Sequence, residues 1–287
     1  MTTNATPFIR FNHVTQRYRR SWWQRDALTV LDDLHLTLNA GEMVALMGPS
    51  GVGKSTLTRL LMGLEEPTQG TVTIDGLPAR AWREAHPGGM AAVFQDYSDA
   101  LNPDLTIASA LTESAELAHR APPDVATLLD EVGLSVELAP RYPHQLSGGQ
   151  RQRVCLARAV ASHAQIVLFD EALSSLDVIT QGDMITFLKR HHPKDALWLF
   201  VTHDLENAVT LADRLLVLGE GRVLLDIATN DIKAALERET PNATLKAMID
   251  EERARQNAFQ LASDALAHHA HDTHLHHHHH HDDEITQ

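Results

Sequence analysis

Eight consecutive residues, Gly48-Pro49-Ser50-Gly51-Val52-Gly53-Lys54-Ser55, match the pattern G-x-x-x-x-G-K-[ST] at every fixed position. The chemistry this spacing serves is the cradling of phosphates. Glycines let backbone N–H groups turn inward around phosphate oxygens, and a helix that starts there offers its positive end to the same anion. Lys54 adds a point charge for β- and γ-phosphates, and the Ser55 hydroxyl is placed to ligate Mg²⁺. With Thr56 following, residues 48–56 are the expected phosphate-binding stretch of an ATP site. A second source of chemistry is Gln165-Ile166-Val167-Leu168-Phe169-Asp170-Glu171, an apolar run delivering two carboxylates. In such a pair Asp170 would hold Mg²⁺ through water, while Glu171 would orient or deprotonate an attacking water. Ser147-Gly148-Gly149-Gln150, at the head of a helical stretch, makes a second anion-binding end from a hydroxyl and exposed N–H groups.

These groups need elements to hold them. Residues 42–47 read as a buried strand and 56–62 as a helix, so strand, glycine loop and helix follow in the order a P-loop requires. Met90–Phe94 reads as an apolar strand that leaves the Gln95 amide at its C-terminal edge, where sites in open α/β sheets collect. Residues 166–171 and 196–202 read as further buried strands, the second ending at His203, with a helix over 178–190 between them. Such alternation predicts a mostly parallel sheet flanked by helices. Residues 8–14, 34–38 and 71–76 instead suggest an antiparallel β-layer at the N-terminal side. Between the first two lies Arg17-Tyr18-Arg19-Arg20-Ser21-Trp22-Trp23, and Tyr18 is the ring chosen to stack on a nucleotide base. Residues 105–132 turn helical, with a break at Ala121-Pro122-Pro123-Asp124, as a helical insertion would.

Taken in order, Gly48 to Ser55, Gln95, Leu146-Ser147-Gly148-Gly149-Gln150, Ile166 to Glu171 with Ser174-Ser175-Leu176-Asp177, and His203 resemble the nucleotide-binding subunit of ABC transporters. The resemblance spans roughly residues 8–226. It implies an α/β, P-loop (RecA-like) fold with an N-terminal antiparallel β-layer, and a helical insertion at about 96–160 that carries the Leu-Ser-Gly-Gly-Gln signature. It also implies that Gln95 contacts Mg²⁺ or water and couples to a membrane partner, that His203 contacts the γ-phosphate, and that Asp177 helps two subunits communicate. Ser147, Gly148, Gly149 and Gln150 would then cover, in a head-to-tail dimer, the ATP held by the other subunit. The implied partners are a second ATPase subunit, identical or not, two transmembrane permease subunits and an external solute-binding protein. Val93-Phe94-Gln95-Asp96 with Ala100-Leu101-Asn102-Pro103, and Asp170 to Asp177, look like the ATPases of nickel and peptide importers. The peptide-import pattern fails after about residue 226, because no cysteine-rich tail follows.

Composition narrows the alternatives. A formal charge of −14 and a pI near 5.7 argue against a surface that binds nucleic acid by neutralising phosphates. Only 91 positions separate Lys54 from Gln145, too few for a long coiled coil, and one P-loop rules out a tandem two-cassette chain, which disfavours the alternative of an ABC-type ATPase outside transport, in nucleic-acid maintenance or translation. The single cysteine, Cys155, excludes an internal disulfide and any site built from several cysteines, as suits a reducing compartment. No run approaches 18 apolar residues and the start lacks the pattern of a secretory signal, so a peripheral place on the cytoplasmic face of a membrane is expected. The expected organisation is an ATP-binding domain over 1–230, a helical extension over 231–267 and a histidine-rich tail over 268–287. His268, His269, His271, His274 and His276 open ten imidazoles that suit Ni²⁺ or Zn²⁺. The run from 276 to 281 has the form of a purification tag, whereas the four histidines before it and the continuation to Gln287 do not.

Overall fold

Met43–Met47, Ile166–Phe169 and Leu197–Val201 are apolar at nearly every position, so a sheet made from them needs cover on both faces. The computed structural model, which describes residues 8–19, 27–96, 100–117, 120–236, 246 and 250, provides that cover. In chain order the strands are β1 (Ile9–Arg19), β2 (Ala27–Leu38), β3 (Met43–Met47), β4 (Gln69–Ile74), β5 (Leu77–Pro78), β6 (Met90–Val93), β7 (Ile166–Asp170), β8 (Leu197–Val201), β9 (Arg214–Gly219) and β10 (Arg222–Ala228). The helices are α1 (Lys54–Leu61), α2 (Ala79–Ala85), α3 (Ile107–Leu117), α4 (Val125–Glu131), α5 (Gly148–Ala161), α6 (Val178–His191), α7 (Leu205–Leu211) and α8 (Thr229–Leu236).

Two sheets result. The larger has the order β10-β9-β3-β8-β7-β6, parallel from β9 to β6 with β10 antiparallel at one edge. The smaller, β2-β1-β4-β5, is antiparallel throughout. Alternation within the buried strands sorts side chains into two cores. Val167, Phe169, Trp198 and Phe200 face the helices α3 to α6, while Ile166, Leu168, Leu197 and Leu199 meet α1 and the antiparallel sheet. Phe169 and Phe200 stack with ring centroids 4.5 Å apart, which locks the two strands that carry the acid pair and His203 side by side.

Helix starts are set locally. Asp124 caps α4 by accepting from Ala126 and Thr127, and Asp177 caps α6 by accepting from Thr180. Several boundaries differ from the sequence expectation. Tyr18 lies within β1 and not in a connection, because β1 runs on to Arg19 against a long β2. Helix α2 is unanticipated: it hangs on one fully buried ring, Trp82, which packs edge-on to Phe8 and stacks on His86. The expected strand 90–94 ends one residue early, at Val93. Backbone contacts group Met1–Glu239 as one unit and Thr240–Gln287 as another. The tail histidines His268, His269, His271, His274 and His276, and nearly all of the 231–267 extension beyond α8, lie outside the described residues.

Candidate nucleotide site

Because β3, β8, β7 and β6 are parallel, their C-terminal ends share one edge of the sheet. Leu46 pairs with Val201, Asp170 with Val201 and Val93 with Phe169, so the residues that follow these strands gather there: 48–55 after β3, His203 after β8, Glu171 after β7 and Gln95 after β6. The loop after β3 turns through three left-handed glycines, with φ of 148° at Gly48, 77° at Gly51 and 111° at Gly53. At Gly48 a Cβ would stand 2.3 Å from the Leu218 carbonyl, so no side chain fits there. At Gly51 the space is open and the positive φ alone favours glycine. The loop then runs into α1, whose first residue is Lys54. Its ammonium donates to the Gly48 carbonyl at 2.6 Å and to the Pro49 carbonyl at 2.9 Å. Burial lowers the Lys54 pKa from the ordinary lysine value, and the charges of Glu171 and Asp170 oppose that shift. Ser55 is exposed at the head of the helix.

Asp170 closes β7 and is half-buried; burial first, and Glu171 second, raise its pKa, with Lys54 acting against them. Glu171 has a left-handed backbone, φ 52°, while its N–H donates to the Val201 carbonyl at 2.9 Å. A non-glycine residue in this region carries a local cost that the surrounding structure must hold in place. The turn directs the carboxylate to His203, whose Nδ1 lies 2.9 Å from Oε1 and 2.8 Å from Oε2. Only the first contact has hydrogen-bond geometry, so Oε2 is left buried without a hydrogen-bond partner. Beside this pair lies a cavity of about 140 Å³, lined among others by Ser174, Gln181, Asp204 and Asn207.

The signature segment is built as a capping box. Ser147 Oγ accepts from the Gln150 N–H at 3.3 Å, and Gln150 Oε1 accepts from the Ser147 N–H at 2.9 Å. Ser147 and Gly148 are exposed, and Gly149 and Gln150 partly so. Its tie to the acid pair is a residue that sequence reasoning passed over: Gln152 is fully buried and donates to the Ala172 carbonyl at 2.5 Å. A glutamine inside an otherwise small and apolar helix face was the available signal. Asp177 spends its carboxylate on Thr180, and Val178 and Ile179 next to it are 83% and 79% exposed, an unusual apolar pair at a helix start.

Tyr18 stands beside α1. Its hydroxyl donates to Glu65 and lies 3.4 Å from the Thr56 hydroxyl, while Arg59 donates to the phenol oxygen at 3.3 Å. This network takes up the buried side chain of Thr56, which leaves its backbone N–H as the group able to face phosphate. Gln95 is exposed two residues beyond β6.

Comparison with known proteins gives the family. The family described as ABC transporter matches residues 31–174. A nickel import ATP-binding protein, NikE, of Rhodospirillum rubrum is 43% identical over 210 residues, which cover 69% of this chain and 75% of the relative. The metal-staphylopine import system ATP-binding protein CntF of Staphylococcus aureus is 35% identical over 218 residues, 74% of this chain and 85% of the relative. Among solved structures, the dimeric post-hydrolysis state of the ATP-binding cassette MJ0796 bound to ADP and Pi has a TM-score of 0.66 and 28% identity. The match covers 77% of this chain and 98% of that one.

Proposed function

Since the chain belongs to the ABC transporter family and is an ATPase of that family, we propose that it is the ATP-hydrolysing subunit of an importer for nickel, a metal chelate or short peptides. The observation that carries the ATPase part is the meeting, on one sheet edge, of the glycine loop with Lys54 and of the Asp170, Glu171 and His203 group. The cargo reading is supported by the names of relatives, which include nickel import, metal-staphylopine import and a probable peptide transporter.

In this reading the loop N–H groups of residues 48–56 and Lys54 hold the phosphates, and Tyr18 takes the base. Ser55, Asp170 and Gln95 are hard oxygen donors of the kind Mg²⁺ takes, and two adjacent carboxylates beside one lysine leave negative charge for it to offset. Bound there, Mg²⁺ would neutralise charge on the phosphates. Glu171 Oε2, which His203 contacts at 2.8 Å without hydrogen-bond geometry, is the buried acceptor able to take a hydrogen bond and then a proton from the attacking water. His203, already bonded to Oε1, holds that carboxylate in place and in this reading contacts the γ-phosphate.

Ser147 and Gly148 of the signature segment are exposed, which suits a role on a neighbouring subunit's ATP, and the apolar Val178 and Ile179 beside Asp177 suit the same contact. Ser147→Arg is therefore expected to block hydrolysis and leave ATP binding near normal. Mixed with a Lys54→Ala chain it can form one composite site from intact halves, and some activity should return if the chain pairs with itself. Absence of any return would assign it an obligatory non-identical partner. Among the described residues no helix is long and apolar enough to cross a membrane, in keeping with a peripheral subunit bound to separate permeases. The ten histidines of residues 268–281 add a candidate Ni²⁺ or Zn²⁺ tail. Co-purification with membrane subunits and identification of the linked solute-binding protein tests the importer reading; capture with nucleic acid or ribosomes in their place would overturn it.

A further inference from the structure

Away from the nucleotide site, the antiparallel sheet carries a feature that neither phosphate binding nor packing requires. The register of β1 against β2 breaks between Phe11 and Val14 and again between Val14 and Gln16, and β1 also slips against β4 between Asn12 and Thr15. Two non-glycine residues at these irregularities have left-handed backbones, His13 with φ 50° and Asp33 with φ 48°. The Thr15 hydroxyl, itself buried, accepts from the Asp33 N–H at 3.1 Å and so fixes the bulge.

The bulges bring three exposed side chains together. His13 Nδ1 lies 2.7 Å from Asp33 Oδ1, and His35 Nε2 lies 3.5 Å from the same oxygen. The two imidazoles meet edge to face with centroids 4.0 Å apart. One donor atom from each residue falls within 4.8 Å of the other two. A metal held at about 2.0–2.2 Å by nitrogen and oxygen donors spaces neighbouring donors roughly 3.0–3.5 Å apart, so only small rotations separate this cluster from a coordinating set.

From this geometry we propose that His13, Asp33 and His35 form a surface site for a borderline divalent cation such as Ni²⁺, Co²⁺ or Zn²⁺, with water completing the coordination. Two imidazoles and one carboxylate are the donor set such ions accept, and Mg²⁺, which favours oxygen donors, competes weakly for it. Binding exchanges the His13 to Asp33 hydrogen bond for two metal bonds: the neutral imidazole moves its proton from Nδ1 to Nε2, and Nδ1 becomes a ligand. The ion would clamp β1 to β2 at the bulge, on the strand that continues to Tyr18. The inference does not depend on the cargo of the importer.

The test uses the full-length chain with the ten histidines of residues 268–281 replaced by asparagine, so that the tail cannot mask the site. Co²⁺ and Zn²⁺ are titrated without nucleotide, by calorimetry and by the visible absorption of Co²⁺. One saturating equivalent is expected. Asp33→Asn and His13→Asn keep a residue type that accepts a left-handed backbone, and His35→Ala changes an exposed strand position, so all three variants should fold and retain basal ATPase activity. Each should weaken binding by more than the roughly 10–100-fold that loss of an outer-shell partner costs. No saturable equivalent in the tail-substituted chain, or an equivalent unchanged in Asp33→Asn and His35→Ala, would reduce the cluster to a surface hydrogen bond and overturn the site.

Discussion

Replacing Lys54 by alanine is expected to lower ATP affinity by at least about two orders of magnitude. The ammonium is anchored on the Gly48 and Pro49 carbonyls, so it waits at the loop without having to be ordered when phosphate arrives. Each hydrogen bond to a charged group is worth about 1.5–3 kcal/mol and about 1.4 kcal/mol is tenfold in affinity, so losing contacts to two phosphates gives that range. The neighbourhood makes the loss worse. Asp170 and Glu171 sit close enough to stabilise the lysine charge, and without it they would meet an anionic nucleotide with one positive charge fewer to offset them. Nucleotide binding followed by fluorescence or calorimetry on the purified variant checks this; an unchanged affinity would remove the P-loop from the mechanism.

Glu171→Gln should separate binding from turnover. The amide oxygen can still accept from His203 Nδ1, so the local geometry is conserved, but an amide cannot take a proton from water. Loss of a general base typically costs on the order of 10²–10⁴-fold in rate. One carboxylate fewer also removes a like charge beside Asp170, so ATP affinity should hold or rise. The variant should therefore accumulate an ATP-bound dimer, visible as an earlier gel-filtration peak that depends on ATP. Near-normal hydrolysis would move the proton-accepting role to another residue.

Much of the architecture was legible because strong local patterns lay in it. The G-x-x-x-x-G-K-S run, the apolar strand ending in Asp-Glu and the Ser-Gly-Gly-Gln helix start each combine a residue type with a backbone requirement, and the structure places them on a loop, a strand end and a helix cap. Helix α2 was not legible, since its seven residues bury only Ala79 and Trp82, and the ring that Trp82 packs against, Phe8, lies far away in sequence, just before β1. The extent of β1 was misread for a similar reason. Arg17 to Arg19 look like a basic connection, and only pairing with Ala27 to Thr29 makes them strand.

The sequence by itself determined which side chains can touch phosphate, which can accept a proton and in what order they come, because those properties belong to residue types and to spacings of a few positions. Tertiary structure alone decided which of them meet. The parallel order β3-β8-β7 brings Lys54 near Glu171, across more than a hundred residues, and the left-handed turn at Glu171 sets its carboxylate on His203. The same is true of His13, Asp33 and His35, three unremarkable surface residues until two bulges, created by the pairing of β1 with β2 and β4, turn them onto one point. Contacts of this kind depend on strand register and backbone handedness, which are settled by the packing of whole sheets and leave no mark at the positions they join.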